Sequence, residues 1–151
     1  MRYIKCPNML FHGFNEFSLF MAGGITNCPD WQASLMALLS NEGPLVLVDP
    51  RRVNFDTNDP DMSNAQIEWE HIHLEGCHGV SFWFPEETLC PITLYELGKI
   101  AAGSKPMFVG THPNYQRRFD VIKQLKLIRP EVHVTDSLYD LAKAISGYVN
   151  R

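Results

Sequence analysis

Residues 79–103 read GVSFWFPEETLCPITLYELGKIAAG, and this stretch holds one complete strand-to-helix unit. GVSFWFP (79–85) is an apolar run of strand length, rich in aromatic side chains and broken only by Ser81. The polar Glu86-Glu87-Thr88 ends it, Pro91 opens an amphipathic helix, and Gly103-Ser104-Lys105-Pro106 stops that helix. A strand that is apolar at nearly every position belongs to a sheet covered on both faces, which is the habit of parallel sheets.

The same alternation recurs outward from this unit. Upstream, FSLFMAG (17–23) reads as a buried strand ending in Gly23-Gly24, where the backbone must turn tightly or approach a ligand closely. Asn27-Cys28-Pro29-Asp30 then starts a helix through WQASLMALLS, with Pro29 at the first helical position. LVLVDP (45–50) is a second strand, RRVNFDTNDPDMS (51–63) a long surface loop, and Ser63 the cap of a helix over NAQIEWEHIHLEGC that stops at Gly76. Downstream, PMFVGTHP (106–113) and EVHVTDS (131–137) read as strands, and YQRRFDVIKQLKLI (115–128) and LYDLAKAISGYV (138–149) as helices. Five strands alternating with helices predict an α/β fold: a doubly wound, five-stranded parallel sheet with helices on both faces, a flavodoxin-like or Rossmann-like sandwich. Residues 17–151 form its single domain, and residues 1–16 an arm preceding the first strand.

Right-handed crossovers place every strand-to-helix loop on one rim, where ligands of such sheets bind. That rim receives Gly23-Gly24-Ile25-Thr26, the 51–63 loop, residues 85–90 and Thr111-His112-Pro113. No GxGxxG or P-loop pattern is present, which disfavours an ordinary dinucleotide or P-loop site.

Composition narrows the partners. In 151 residues the formal net charge is -4, and the Lys and Arg are scattered apart from Arg51-Arg52 and Arg117-Arg118, so no basic field tracks a nucleic acid polymer. The four cysteines, Cys6, Cys28, Cys77 and Cys90, show no CxxC pairing, a usage that fits a reducing cytoplasm. The first residues, MRYIKCPNMLFHGFNEF, lack the continuous apolar stretch of a signal peptide or membrane span.

Two carboxylates draw the chemistry. Glu96 lies beside Ile92, Thr93, Leu97 and Ile100 on a helical wheel and so borders the buried stripe, where partial desolvation makes a better nucleophile or base. Its position fits equally a solvated glutamate favoured by the helix dipole. Glu70 follows Trp69 on the preceding helix; facing Glu96 it would complete the paired-carboxylate arrangement that cleaves glycosidic bonds. Taken alone it reads as one more charge in the series Glu68, Glu70, His71, Glu75. His71 and His73 point about 200° apart on a helix, so no metal is expected. Cys90 opens the helix that carries Glu96, where a thiolate would be stabilised, but with no partner histidine nearby it reads as a cap or a ligand-lining residue. Trp31, Trp69, Trp83 and Phe82 are core residues or stacking surfaces for a base.

FMAGGITNCPDWQ (20–32), VDPRRVNFD (48–56), IEWE (67–70), VSFWFPEETLCPITLYELGK (80–99) and VGTHPNYQRRFDV (109–121) together resemble the nucleoside 2-deoxyribosyltransferase family, in its divergent branch with Trp-Glu and FWFP motifs. The resemblance covers roughly residues 17–148 and is most specific at Tyr95-Glu96-Leu97-Gly98. It implies that Glu96 attacks C1′ of a 2-deoxyribose and holds it as a covalent ester, which a second nucleobase or water takes with retention. The family's acid/base carboxylate lies 26 residues before the nucleophile, which here is Glu70 where members carry Asp. The loop after strand one corresponds to the base pocket, implying Gly23, Gly24, Ile25, Asn27, Asp30 and Trp31 as contacts. Members acting on free nucleosides carry an aspartate for the 5′-hydroxyl six residues before the nucleophile, and related nucleotide hydrolases a serine; this chain has Cys90, with Glu87 and Thr88 beside it. A negative Glu87 opposes a phosphate, so the expected substrates are nucleosides and nucleobases, with no cofactor and, by resemblance, a homo-oligomer. Hydrolysis of nucleoside 5′-monophosphates, or nucleotide binding without chemistry, are the alternatives.

Overall fold

A computed structural model describes residues 1–151. The chain builds an α/β sandwich in the order β1 (Arg2–Lys5), β2 (Phe17–Gly23), α1 (Trp31–Leu38), β3 (Leu45–Asp49), α2 (Pro60–Gly76), β4 (Gly79–Phe84), α3 (Pro91–Ala101), β5 (Met107–Thr111), α4 (Arg118–Ile128), β6 (Val134–Thr135) and α5 (Leu138–Val149). The sheet has six strands, all parallel, in the order β1-β3-β2-β4-β5-β6. The fold class expected from the sequence is compatible with this architecture; the count of five strands is corrected to six.

The extra strand comes from the segment read as an arm. Arg2 to Lys5 run beside β3 in the register Arg2↔Val46 to Lys5↔Asp49 and so cover an otherwise open edge. Four residues of mixed polarity carry too little periodicity to be read as a strand; the unpaired edge of β3 makes them one. Residues 6–16 then return over α2, where Trp69 Nε1 donates to the Asn8 carbonyl (3.0 Å) and the Leu10 N–H donates to Nε2 of His73 (3.1 Å).

Alternation along the strands splits the core in two. Phe20, Val46, Val48, Val80, Phe82 and Phe84 face Trp69 of α2, Leu97 and Ile100 of α3 and Val121 and Leu125 of α4. Leu19, Met21, Leu45, Leu47 and Trp83 face Trp31 and Leu35 of α1 and Leu141 and Ile145 of α5. Phe20, Phe82 and Phe84 are fully buried, and truncating one to alanine costs about 3–5 kcal/mol in such settings. No helix is long and apolar enough to cross a membrane.

Helix starts differ from expectation because aspartates cap them. The Asp59 carboxylate accepts from the N–H groups of Asp61 (2.9 Å) and Met62 (3.2 Å), so α2 begins at Pro60, a turn before Ser63. The Asp30 carboxylate accepts from the Ala33 N–H at 3.0 Å, which leaves Pro29 outside α1.

The paired glycines serve close packing, and neither has a positive φ. A Cβ on Gly23 would lie 2.5 Å from the Trp83 carbonyl oxygen and 2.4 Å from the Trp31 ring. Gly23→Ala is therefore expected to destabilise the protein by about 1–3 kcal/mol or more, read as a lowered urea midpoint, because the carbonyl belongs to the central sheet and cannot yield.

Candidate active site

An open cleft of about 310 Å³ lies at the carboxyl rim of the sheet where β2 and β4 diverge in connection, β2 leading back to β3 and β4 onward to β5. Its floor is Phe20, Ala22 and Gly23 of β2; one wall is Gly24, Ile25 and Thr26 with Pro50; the other is Thr88, Cys90, Pro91, Ile92 and Thr93. Glu70 of α2 and Glu96 of α3 complete it. Two helices packed side by side on one face of the sheet thus deliver two carboxylates to one space. Ile92, expected on the buried stripe, is 65% exposed and forms cleft wall, whereas Thr93, Leu97 and Ile100 turn inward.

Both carboxylates hold protons unusually well. Burial is the main cause at Glu96, and the nearby Glu70 charge adds to it against the opposing Lys99, pushing the carboxyl up to about 7. Glu70 is raised by burial and partly restored by a hydrogen bond from Nε2 of Gln66 to its Oε1 (2.8 Å). Because the charges repel, ionisation of one carboxyl helps the other keep its proton, which favours a singly protonated state of the pair. One carboxylate to attack and one acid to donate coexist only in that singly protonated state.

Cys90 caps α3 with left-handed backbone (φ 50°) and no side-chain cap hydrogen bond. Its thiol donates to the Thr88 carbonyl at 3.5 Å, and burial, with Cys28 nearby, pushes it up to about 12. The thiolate suggested by the helix N-terminus is therefore absent at neutral pH, and Cys90 presents a neutral wall. Gly24 is drawn tight against that wall: a Cβ there would meet Thr88 at 2.8 Å and the Cys90 sulfur at 2.9 Å.

Of the other sequence candidates, Gly23, Gly24, Ile25 and Thr88 line the cleft, while Asn27, Asp30, Trp31 and Glu87 do not. Asn27 is exposed in the left-handed region (φ 57°), and Glu87 is exposed. Trp31 is buried beneath the cleft, its Nε1 donating to the Gly24 carbonyl at 2.8 Å, so it braces the loop from below. Asp30 pairs with Arg51 at 3.2 Å. His73 is buried beside Trp69, with Nδ1 2.7 Å from the Trp69 carbonyl, and His71 is exposed, so these two histidines share no site.

Two residues that the sequence reading passed over hold the site together. Arg51 donates to Oε1 of Gln32 (2.7 Å) and to the carbonyls of Pro29 (2.7 Å) and Ile25 (3.3 Å), tying the loop after β2 to the end of β3. Gln66 stands one turn before Glu70 and binds it. The i, i+4 spacing of Gln66 and Glu70 was the signal available for the second, and the place of Arg51 at the start of the rim loop 51–63 was the signal for the first.

A search of curated proteins finds no match to the chain. A family model described as nucleoside 2-deoxyribosyltransferase like matches residues 16–115, a span that holds β2 through β5 and every residue lining the cleft. The chain belongs to the nucleoside 2-deoxyribosyltransferase-like family.

Proposed function

We propose that the protein transfers 2-deoxyribose between nucleobases through a covalent deoxyribosyl ester on Glu96. The observation that carries this reading is the meeting of Glu70 and Glu96 in one cleft, both raised above the usual carboxylate range. In the first half-reaction a Glu96 oxygen bonds to C1′ as the C1′–N bond breaks, and the bonding pair leaves with the base, which takes a proton from Glu70. The charge developing on the sugar is oxocarbenium-like and draws the negative charge of the pair to Glu96, leaving the proton on Glu70. In the second, a nitrogen of the incoming base bonds to C1′, the ester bond returns its pair to Glu96, and Glu70 recovers a proton. Two displacements give retention.

The cleft favours a nucleoside with a free 5′-hydroxyl. None of its 14 lining residues is Lys, Arg or His, and a phosphate would bring further negative charge to two carboxylates. A second reading, hydrolysis of nucleoside 5′-monophosphates, is favoured by one feature: the first turn of α3 opens into the cleft and supplies a partial positive charge. Incubating the protein with each of the four deoxynucleosides and their monophosphates, with and without a free base, separates the two. Exchanged nucleoside supports transfer, free sugar or sugar phosphate supports hydrolysis, and recovery of every substrate unchanged overturns both.

A further inference from the structure

We propose that Gln66 is a positioning residue: it holds the carboxyl of Glu70 in place and confines its proton to the oxygen left to the cleft. The proposal deepens the reading of Glu70 as proton donor given above and rests on it for its catalytic meaning.

Gln66 is a buried amide with both of its N–H donors and its oxygen engaged. Its Nε2 donates to the Pro50 carbonyl and to Oε1 of Glu70, both at 2.8 Å, and its Oε1 accepts from the Cys6 thiol at 3.1 Å. The Pro50 carbonyl can only accept, so it fixes which way the amide lies. Turned over, the amide would set oxygen against oxygen there and bury an unpaired acceptor. Glu70 is therefore always offered an N–H and never an acceptor. Its Oε1 is occupied as acceptor, and the proton of the neutral acid resides on Oε2.

The chemical consequence is an acid that faces substrate and releases its proton readily. Burial alone would make Glu70 a firm holder of its proton; the Gln66 N–H favours the charged form and opposes this. The remaining ionisable neighbours are Glu96 of α3, itself beside Lys99, and the groups that act on Cys6, namely Arg52 and Asp49. None of these donates a hydrogen bond to Glu70, so Gln66 alone distinguishes its two oxygens. The three partners of Gln66 come from separate parts of the fold: Cys6 follows β1, Pro50 follows β3 and Glu70 lies on α2. The edge strand that the sequence did not reveal thus supports the site through Cys6.

Two variants test the assignment: Gln66→Met, which keeps length and removes the donor, and Gln66→Glu, which keeps length and polarity and replaces the donor with an acceptor. Carboxyl ¹³C NMR of the unliganded protein is expected to show the Glu70 titration moving to higher pH in both, further in Gln66→Glu. The basic limb of the kcat/KM profile for base release, where Glu70 loses the proton it must donate, should move up with it, and kcat should fall about ten- to hundredfold with KM little changed. Unmoved titration and an unmoved limb in whichever variant folds would overturn the proposal. If the titration moves but no protein, wild type included, cleaves any nucleoside, the glycosidic reading fails and the hold of Gln66 on Glu70 stands.

Discussion

Glu96→Gln is expected to lower deoxyribosyl transfer by on the order of 10⁴-fold or more while making the protein more stable at alkaline pH. The loss follows from chemistry, because an amide oxygen forms no stable ester with C1′ and no steady negative charge faces the cationic sugar. The gain follows from linkage. Glu96 is a carboxyl raised in the folded protein to about 7 from an ordinary value of 4.5, so the fold binds its proton more tightly than the unfolded chain does. Stability is therefore unaffected below about pH 4.5, declines as pH rises to about 7, and stays lower beyond. The full span is worth up to about 3 kcal/mol, and the neutral glutamine escapes it. Denaturation of both proteins at pH 4 and pH 8 checks this: the curves should coincide at the lower pH and separate at the higher, with the variant more resistant. A variant that is both active and no more stable at pH 8 would remove Glu96 from the role of buried nucleophile. Mass spectrometry of the wild type, mixed with a deoxynucleoside and quenched, should find the sugar on the peptide containing Glu96.

Glu70→Gln is expected to slow release of a natural base by about 10²- to 10⁴-fold, the usual contribution of a placed acid. The effect should depend on the leaving group. A deoxyriboside whose leaving group departs without a proton should react with the variant within about tenfold of the wild-type rate, since Glu96 remains to attack. The wild-type profile of kcat/KM should be bell-shaped, its basic limb near the value of about 7 at which the pair loses its last proton. In Glu70→Gln that limb should vanish and Glu96 should ionise at lower pH, because the neighbouring charge that raised it is gone. A variant equally slow on both kinds of leaving group would instead mark Glu70 as a residue of structure.

The parallel sheet was legible because its central strands are apolar at nearly every position, a pattern set by burial on both faces and visible in single letters at GVSFWFP or LVLVD, where only Ser81 and Asp49 depart from it. Glu96 was legible as a residue bordering a buried stripe, and Glu70 through the motif spacing of the family resemblance. Edge and cap details were less so. β1 depends on pairing with an unfilled edge, and the starts of α1 and α2 depend on which of several neighbouring polar residues turns its side chain back onto the helix.

The sequence by itself determined the layers of this protein, the rim that carries its loops and the two carboxylates worth watching, since each rests on local periodicity or spacing. Only the tertiary structure decided that Glu70 and Glu96 share a cleft, that Trp31 supports the Gly24 loop from beneath, that Cys90 is a neutral wall, and that Gln66 is locked between Pro50, Cys6 and Glu70. The physical reason is common to all four. Desolvation, repulsion between like charges and the direction of a hydrogen bond are set by neighbours far away in the chain, and those neighbours meet only once it has folded.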